Sequence, residues 1–231
     1  MATRSVQESS LTSLADAIRA KGGTSDTLTF PGGFVSAVEA IDAGGGGDDG
    51  SFKAVIERTA VNPTIPSDLT SIGKYAFYNC NKLALTSLPA GVTSISDYAF
   101  FNCVPLALTS LPAGVTSIGQ YAFFNCIPIA LTSLPAGVTS IEQYAFYNCN
   151  HLTNISIPAG VTSIGQYAFF NCTGLKKVTF EGIPTGKISS YTFKGCTNLT
   201  VINVPWAEGA VQNAPWGATN ATINYNYTGE A

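Results

Sequence analysis

Six cysteines are the residues of this sequence most able to do chemistry, and their spacing is regular. Successive cysteines are 23 residues apart until the last step, which is 24: Cys80, Cys103, Cys126, Cys149, Cys172 and Cys196. One thiol per interval puts equivalent cysteines on the same side of successive units, which favours a buried thiol column over disulfides. Zinc sites need close pairs such as CxxC, and the sequence has none. We therefore predict no metal site.

Acid–base catalysis has little support in the sequence. His151 is the one histidine, and it stands where other repeats carry lysine, proline, glycine or asparagine, so we expect a solvated loop residue. The formal charges between residues 71 and 172 are Lys74, Lys82, Asp97 and Glu142. No two carboxylates recur at a close spacing, so no general acid–base pair is indicated. The sequence predicts neither an enzyme nor a cofactor.

The composition excludes several classes of partner. Charged residues make up 11% of the chain, against roughly 25% in typical soluble domains, and the formal net charge is −3. The one adjacent basic pair, Lys176 and Lys177, is too small for a nucleic-acid footprint. No window reaches the roughly 20 apolar residues of a membrane span, and the first residues lack the apolar core of a signal peptide. We expect a soluble chain without its own export signal.

An internal repeat organises the chain. The segment LTSLPAGVTSI occurs unchanged three times, from Leu85, Leu108 and Leu131, and is followed after two residues by YAF, an aromatic residue and NC. Self-similarity at a period of 20 to 50 residues is typical of solenoids, in which each unit stacks on its neighbours. The sequence therefore predicts a β-rich repeat solenoid.

Each repeat divides into segments with distinct roles. Leu83, Thr86 and Leu88 have LxxLxL spacing, which predicts an inward-facing strand. Gly91 then turns the chain, and residues 92–95 (VTSI) form a second extended segment. The phenylalanine of each YAF is expected in an interior column. The asparagine before each cysteine is replaced by Gly195 in the last repeat, which predicts a left-handed turn residue.

The repeats resemble a known family. The segments VTSIGQYAFFNC and LTNISIPAG look like the BspA-type leucine-rich repeats of bacterial surface proteins and of phages that infect such bacteria. The N-terminal LTSLADAIRAKGGTSDTLTFPGGFVSAVEAI resembles the leading segment of tail-associated proteins from phages of Gram-positive gut bacteria. These resemblances imply a virion or prophage product, with a bacterial cell-surface protein as the alternative.

The predicted architecture is a right-handed leucine-rich solenoid with one short parallel sheet and a small α-helical N-terminal module. The expected segments are a helical attachment module at 1–42, a glycine-rich linker at 43–51, an N-terminal cap at 52–68, repeats at 69–204 and a C-terminal cap at 205–231. Helices are predicted at 10–21, after Pro31, and from Phe52 to Arg58 (FKAVIER).

The outward face of the LxxLxL strands is the first candidate binding surface. Its residues are Leu85, Ser87, Leu108, Ser110, Leu131, Ser133, Asn154, Ser156, Lys177 and Thr179. A different register would instead turn Leu85 inward and Thr86 outward. Exposed leucines risk aggregation, whereas an interior threonine needs a hydrogen-bond partner, so neither arrangement is without cost. We favour the inward leucines and keep both alternatives open.

A tyrosine band is the second candidate surface: Tyr75, Tyr98, Tyr121, Tyr144 and Tyr167. Partly exposed rings beside glutamines suit sugar faces or a protein groove, although a solenoid without a ligand would carry such tyrosines too. The function expected is non-enzymatic recognition of a bacterial surface protein or glycan by a phage tail protein, held to other tail proteins through residues 1–42. A bacterial adhesin and a structural spacer are the alternatives. The resemblance to tail proteins also implies a homo-oligomer.

Overall fold

Short extended segments recur once per repeat and build the molecule. The computed structural model describes residues 51–52, 65 and 67–229 of the chain. The helices predicted at 10–21 and after Pro31 lie outside the described residues. The described residues form a solenoid of about seven turns with parallel sheets, and no helix occurs among them. We call each turn of the solenoid a rung.

Ten strands are present in the described part of the chain. In chain order they are β1 (Ser51–Phe52), β2 (Ser71–Ile72), β3 (Ser94–Ile95), β4 (Ser117–Ile118), β5 (Ser140–Ile141), β6 (Asn154–Ile157), β7 (Ser163–Ile164), β8 (Lys177–Phe180), β9 (Val201–Asn203) and β10 (Thr222–Asn224). β1 pairs in parallel with β2 through Phe52 and Ile72, so the helix predicted to begin at Phe52 is wrong at that residue. Ser51, the last residue of the predicted linker, is the first residue of β1.

The long sheet is built from the VTSI segments, in the order β1-β2-β3-β4-β5-β7. Each strand pairs in parallel with its equivalent one repeat later, as in Ile95 with Ile118. Strand side chains alternate between the two faces, so the isoleucines of β2 to β5 and β7 are buried while their serines lie half-exposed outside. The second extended segment predicted from the sequence is therefore confirmed.

A second, shorter sheet has the order β10-β9-β8-β6 and begins only in the fourth repeat. The prediction of one sheet, with a strand at every LxxLxL segment, is therefore wrong for the first three repeats. In the second repeat, for example, the inward leucines are Leu106, Leu108 and Leu111, which are spaced by two and then three residues. In the fourth repeat the spacing is reversed, and the alternating pair Ile155 and Ile157 allows a regular strand.

The same difference in spacing decides whether the leucine that begins each LTSLPAGVTSI segment faces the core or the solvent. Leu108 and Leu131 are 0% and 1% exposed, Leu85 is half-buried, and the threonine after each of them is exposed. The exposed-leucine surface is thus wrong for Leu108 and Leu131, and the alternative register is the observed one. Burying the leucines removes apolar surface from water and leaves the threonine hydroxyls solvated.

Columns of identical side chains fill the core. Six phenylalanines, each fully buried, form the phenylalanine column, as predicted: Phe77, Phe100, Phe123, Phe146, Phe169 and Phe193. Neighbouring rings stack with centroids 4.9 to 5.6 Å apart. The six cysteines are buried thiols that form no disulfide, which confirms the thiol column. Cys126 Sγ donates to the carbonyl of Phe100 at 2.9 Å, and the same bond recurs for Cys103, Cys149, Cys172 and Cys196.

The asparagines before the cysteines are left-handed turn residues, as predicted. Their φ angles lie between 57° and 59°, and Gly195 takes 82° at the equivalent position of the last repeat. Each side chain also bonds to its neighbour, for example from Asn102 Nδ2 to Asn79 Oδ1 at 3.0 Å. The amides therefore satisfy one another along the solenoid instead of facing a ligand.

Two tryptophans close the C-terminal end of the core. Trp216 and Trp206 are 0% and 3% exposed, with ring centroids 6.4 Å apart. Trp216 lies against the last ring of the phenylalanine column, Phe193, at 6.5 Å. β10 continues the short sheet by pairing with β9, so the last repeat does not end on an exposed apolar surface.

Truncating the phenylalanine column is expected to destabilise the chain strongly. Phe123→Ala leaves a cavity between two stacked rings and should lower the free energy of unfolding by about 3 to 5 kcal/mol. The neighbouring Phe124→Ala is the matched control, since that ring is half-exposed and should cost clearly less. Urea unfolding followed by circular dichroism measures both; equal losses would contradict the assignment of Phe123 to the core.

The thiol column should resist modification. Burial raises the pKa of the Cys103, Cys126, Cys149 and Cys172 thiols well above the ordinary range, so little thiolate is available for reaction. We expect an Ellman reagent at neutral pH to label the native chain slowly, and to label six thiols at once in denaturant. Fast labelling of the native chain would show that the column is open to solvent.

Candidate functional site

The polar members of the first candidate surface lie in one row. Ser87, Ser110, Ser133 and Asn154 are exposed, and Ser156, Lys177 and Thr179 are half-buried. The register of the short sheet places Asn154 opposite Lys177 and Ser156 opposite Thr179, and a bridge links Ser133 to Ser156. The structure thus brings these residues together, without Leu108 and Leu131.

Two members of this row are already hydrogen-bonded. Ser156 Oγ donates to Glu181 Oε1 at 2.6 Å, and Asn203 Nδ2 lies 3.4 Å from Thr179 Oγ1. Beside the row, Asn224 Nδ2 donates to Asn203 Oδ1 at 2.8 Å. Ser156 and Thr179 therefore have partners within the protein, and the role of the row in binding stays a prediction.

The second candidate surface is a continuous stack of rings, the tyrosine column: Tyr75, Tyr98, Tyr121, Tyr144, Tyr167 and Tyr191. Neighbouring centroids are 4.7 to 5.4 Å apart. The sequence prediction ended at Tyr167, and Tyr191 extends the column by one rung. Tyr191 is 42% exposed and the other five are half-buried.

The first five tyrosines of the column have a backbone conformation that the sequence did not reveal. Their φ angles are between 55° and 59°, in the left-handed region that bulky residues rarely adopt. A hydrogen bond to the next rung holds the first four of them, as when Tyr98 N donates to the carbonyl of Gln120 at 2.8 Å. Glycine or asparagine would have signalled such a turn, whereas tyrosine does not.

A second stack lies beside the first. This outer aromatic column consists of Tyr78, Phe101, Phe124, Tyr147 and Phe170, with centroids 4.4 to 5.1 Å apart. Tilted or edge contacts of 5.3 to 6.5 Å join it to the tyrosine column. Together the two columns make a half-exposed aromatic face that follows the solenoid axis.

Stacking leaves few ring faces for a ligand. Each interior ring has both faces against its neighbours, so it presents its edge and its hydroxyl to solvent. At the ends, Lys74 Nζ lies 5.4 Å from the ring of Tyr75 and Lys194 Nζ lies 5.3 Å from that of Tyr191. The expectation that these rings stack on sugar faces therefore does not fit the interior of the column.

The tyrosine hydroxyls are free for a partner. Within the described residues, no hydroxyl of the tyrosine column has a hydrogen-bond partner, and none is buried without one. Desolvation, together with neighbouring phenols, raises the pKa of Tyr98 and Tyr121 above the ordinary 10.0. These two phenols are therefore neutral at physiological pH, so each can both donate and accept a hydrogen bond.

Two adjoining depressions lie beside the serines of the long sheet; together we call them the serine–glycine groove. Its floor follows the position after each strand isoleucine, occupied in turn by Ser96, Gly119, Glu142, Gly165 and Ser189. One depression, of about 390 Å³, lies at Gly119 between Ser96 and Glu142. Another, of about 440 Å³, lies at Gly165 between Glu142 and Ser189.

Glycine is sterically required at two of these positions. A Cβ atom on Gly119 or Gly165 would lie 2.5 Å from the backbone nitrogen of Asp97 or Gln143, respectively. The other floor positions carry side chains, at Ser96, Glu142 and Ser189. The alternation of glycine with larger residues therefore produces the two depressions, and the sequence pattern could have indicated it.

The charges and the histidine are arranged without catalytic geometry. Lys74 Nζ lies 3.8 Å from Asp97 Oδ2, and the other oxygen of that carboxylate, Oδ1, accepts the Gln120 N–H at 2.9 Å. His151 is exposed on a turn, as expected. No group of three or more metal-ligating side chains occurs in residues 67–229 and the few other described positions. No described helix is long and apolar enough to cross a membrane.

These repeats match an established family model. The model described as a BspA type leucine-rich repeat region matches residues 51–133 and 120–213, in six copies. The chain belongs to the BspA-type leucine-rich repeat family. Solenoids of this kind typically serve as non-enzymatic binding scaffolds. A search of curated protein sequences finds no match.

Solved structures with similar folds come from several bacteria. A leucine-rich repeat protein of T. pallidum is 30% identical over 62% of this chain and 66% of its own, with a TM-score of 0.45. A leucine-rich cell surface protein of Faecalibacterium prausnitzii is 26% identical over 57% and 50%, with a TM-score of 0.31. The pneumococcal vaccine antigen PcpA is 17% identical over 63% and 30%, with a TM-score of 0.35. The chain thus spans less than two thirds of each.

The tyrosine column should make stability fall at alkaline pH. Because the folded-state pKa of Tyr98 and Tyr121 is raised, the unfolded chain loses these protons first. Their contribution is fully present below about pH 10 and is lost as the pH rises through the folded pKa values. We expect the free energy of unfolding of the double variant Tyr98→Phe/Tyr121→Phe, measured by urea unfolding, to fall less between pH 9.5 and 11 than that of wild type. Identical pH dependence of the two proteins would contradict the assignment.

Proposed function

We propose that this protein is a non-enzymatic recognition protein that binds a bacterial surface partner through the side of the solenoid carrying the aromatic face and the serine–glycine groove. The observation that supports this most is the row of unpartnered tyrosine hydroxyls, repeated on six successive rungs. A repeated row favours an extended partner that makes many weak, similar contacts. The partner class is a surface protein or glycan.

The lack of convergent titratable groups in the described residues supports binding over catalysis. His151 is exposed on a turn, and Asp97 is engaged by Lys74. Titratable groups that act together in catalysis must lie within hydrogen-bond reach of each other and of a substrate. The repeats offer hydrogen-bonding surface, which suits recognition.

We further propose that the chain acts in a phage tail and is attached to other tail proteins through residues 1–42. The support is the resemblance of that segment to tail-associated proteins, which the described residues do not cover. A virion is then the expected location. The alternative is a bacterial surface adhesin, and the family match is consistent with that alternative.

Binding of the full chain to intact cells tests the recognition function. Labelled full chain should bind saturably to Gram-positive gut bacteria or to an array of their cell-wall glycans. The double variant Tyr121→Phe/Tyr144→Phe keeps the rings and removes two hydroxyls. It should bind about 5- to 150-fold more weakly, given roughly 0.5 to 1.5 kcal/mol for each hydrogen bond.

Tyr225→Phe/Tyr227→Phe, outside the column, is the matched control and should bind like wild type. If the full chain bound neither cells nor the array, the recognition function would be wrong. The three identical LTSLPAGVTSI segments would then favour the spacer function, in which the repeats supply only length.

A further inference from the structure

We propose that the serine–glycine groove binds an extended, neutral, β-linked glycan along the solenoid axis. This inference rests on the proposed recognition function and names the ligand class of the groove. Three properties of the groove support it: its period, its hydrogen-bonding groups and its charge.

The two depressions repeat every second rung. Gly119 and Gly165 form their floors, and Glu142 stands between them on the intervening rung. Parallel strands lie about 4.8 Å apart, so the depressions are centred roughly 10 Å from each other. A β-linked pyranose chain advances by nearly one sugar per rung, and alternate sugars face the same way. A disaccharide repeat would therefore place equivalent groups in both depressions.

Polar side chains border the groove above its glycine floors. The half-exposed hydroxyls of Ser117, Ser140 and Ser163 border it, with the Gln166 amide and Tyr191 at one end. Such hydroxyls and amides each donate and accept, as sugar hydroxyls do. The depressions, of about 390 and 440 Å³, fall within the roughly 300 to 1,000 Å³ of small-ligand pockets.

An extended peptide fits the groove less well. The backbone is already paired between rungs, as where Gly165 N donates to the carbonyl of Ile141 at 2.8 Å and Gly119 N to that of Ile95 at 2.8 Å. A peptide strand therefore finds no backbone partners on this face. Its side chains also repeat every two residues, about 6.6 Å, which does not match the rung spacing.

Glu142 is the expected anchor for the sugar. Its carboxylate is half-buried and has no hydrogen-bond or ion-pair partner among the described residues, whereas Asp97 is paired with Lys74. A carboxylate has two oxygens and can accept from two adjacent hydroxyls at once. Lys187 lines the far end of the groove and offsets the negative charge, so a neutral ligand suits it best.

Calorimetry on the full chain tests this site with two defined probes, cellohexaose and its N-acetylated analogue chitohexaose. We expect at least one to bind with a Kd below about 1 mM. Glu142→Gln keeps the shape and removes the charge, and Ser163→Leu fills the second depression; each should weaken binding at least tenfold. Thr219→Leu and Glu208→Gln, both exposed and outside the groove, are matched controls and should bind like wild type.

Three results would overturn the glycan site. The first is that neither hexasaccharide binds. The second is that a hexasaccharide binds but the two groove variants bind it as wild type does. The third is that a ten-residue Ser/Thr peptide binds equally well and depends on Glu142 in the same way. The recognition function fails separately. If Glu142→Gln and Ser163→Leu still bind cells like wild type while the double tyrosine variant does not, the groove proposal is wrong and the recognition function stands.

Discussion

Parallel, in-register stacking of each rung on the next is the constraint on which the rest of this structure depends. Every strand of the long sheet pairs with its equivalent one repeat later, so each side chain lies about 4.8 Å from its own counterpart. A residue type is therefore stable in the repeat only if it packs well against itself. Phenylalanine and tyrosine stack, asparagine amides bond to one another, and threonine hydroxyls donate to the carbonyl of the preceding threonine at 3.0 to 3.3 Å.

The same constraint explains why the repeats are poor in charge. Like charges at equivalent positions would repel on neighbouring strands. Lys74, Asp97 and Glu142 accordingly occupy rungs whose neighbours carry uncharged or opposite groups at the nearest positions. Under the proposed function, a surface built this way would recognise a partner through many neutral hydrogen bonds and ring edges instead of through a few strong ion pairs. That favours extended ligands of modest affinity per rung.

The sequence predicts the features in which one residue type packs against its own copies on neighbouring rungs. The phenylalanine column, the thiol column and the left-handed asparagines each follow from one residue type recurring at one period. It did not settle the direction of Leu108 and Leu131, because the LxxLxL spacing of the later repeats points Thr109 and Thr132 inward, whereas the apolar residue of each pair is the leucine. The second sheet depends on that same choice, and it was missed for the same reason.

The candidate site was predictable only in part. The tyrosine band was visible in the sequence, but its left-handed backbone was not, since tyrosine gives no such signal. The sequence also did not show that stacking covers both faces of the interior rings. That depends on how the rings are oriented, which the order of residue types does not specify. The alternation of glycine with serine and glutamate was visible in the sequence. It indicates a groove only when the close approach of the neighbouring rung to Gly119 and Gly165 is known.

The identical junctions between repeats have an evolutionary consequence. Ala107 and Ala130 precede the same LTSLPAGVTSI segment, so recombination between the corresponding stretches of the gene would add or remove a whole 23-residue unit without changing any core contact. An added copy of residues 108–130 would, however, place one Gly119 next to another and merge two floor positions of the groove. Repeat number would thus vary the shape of the outer surface while the interior stays constant, which gives such a gene a route to new specificities at little risk to folding.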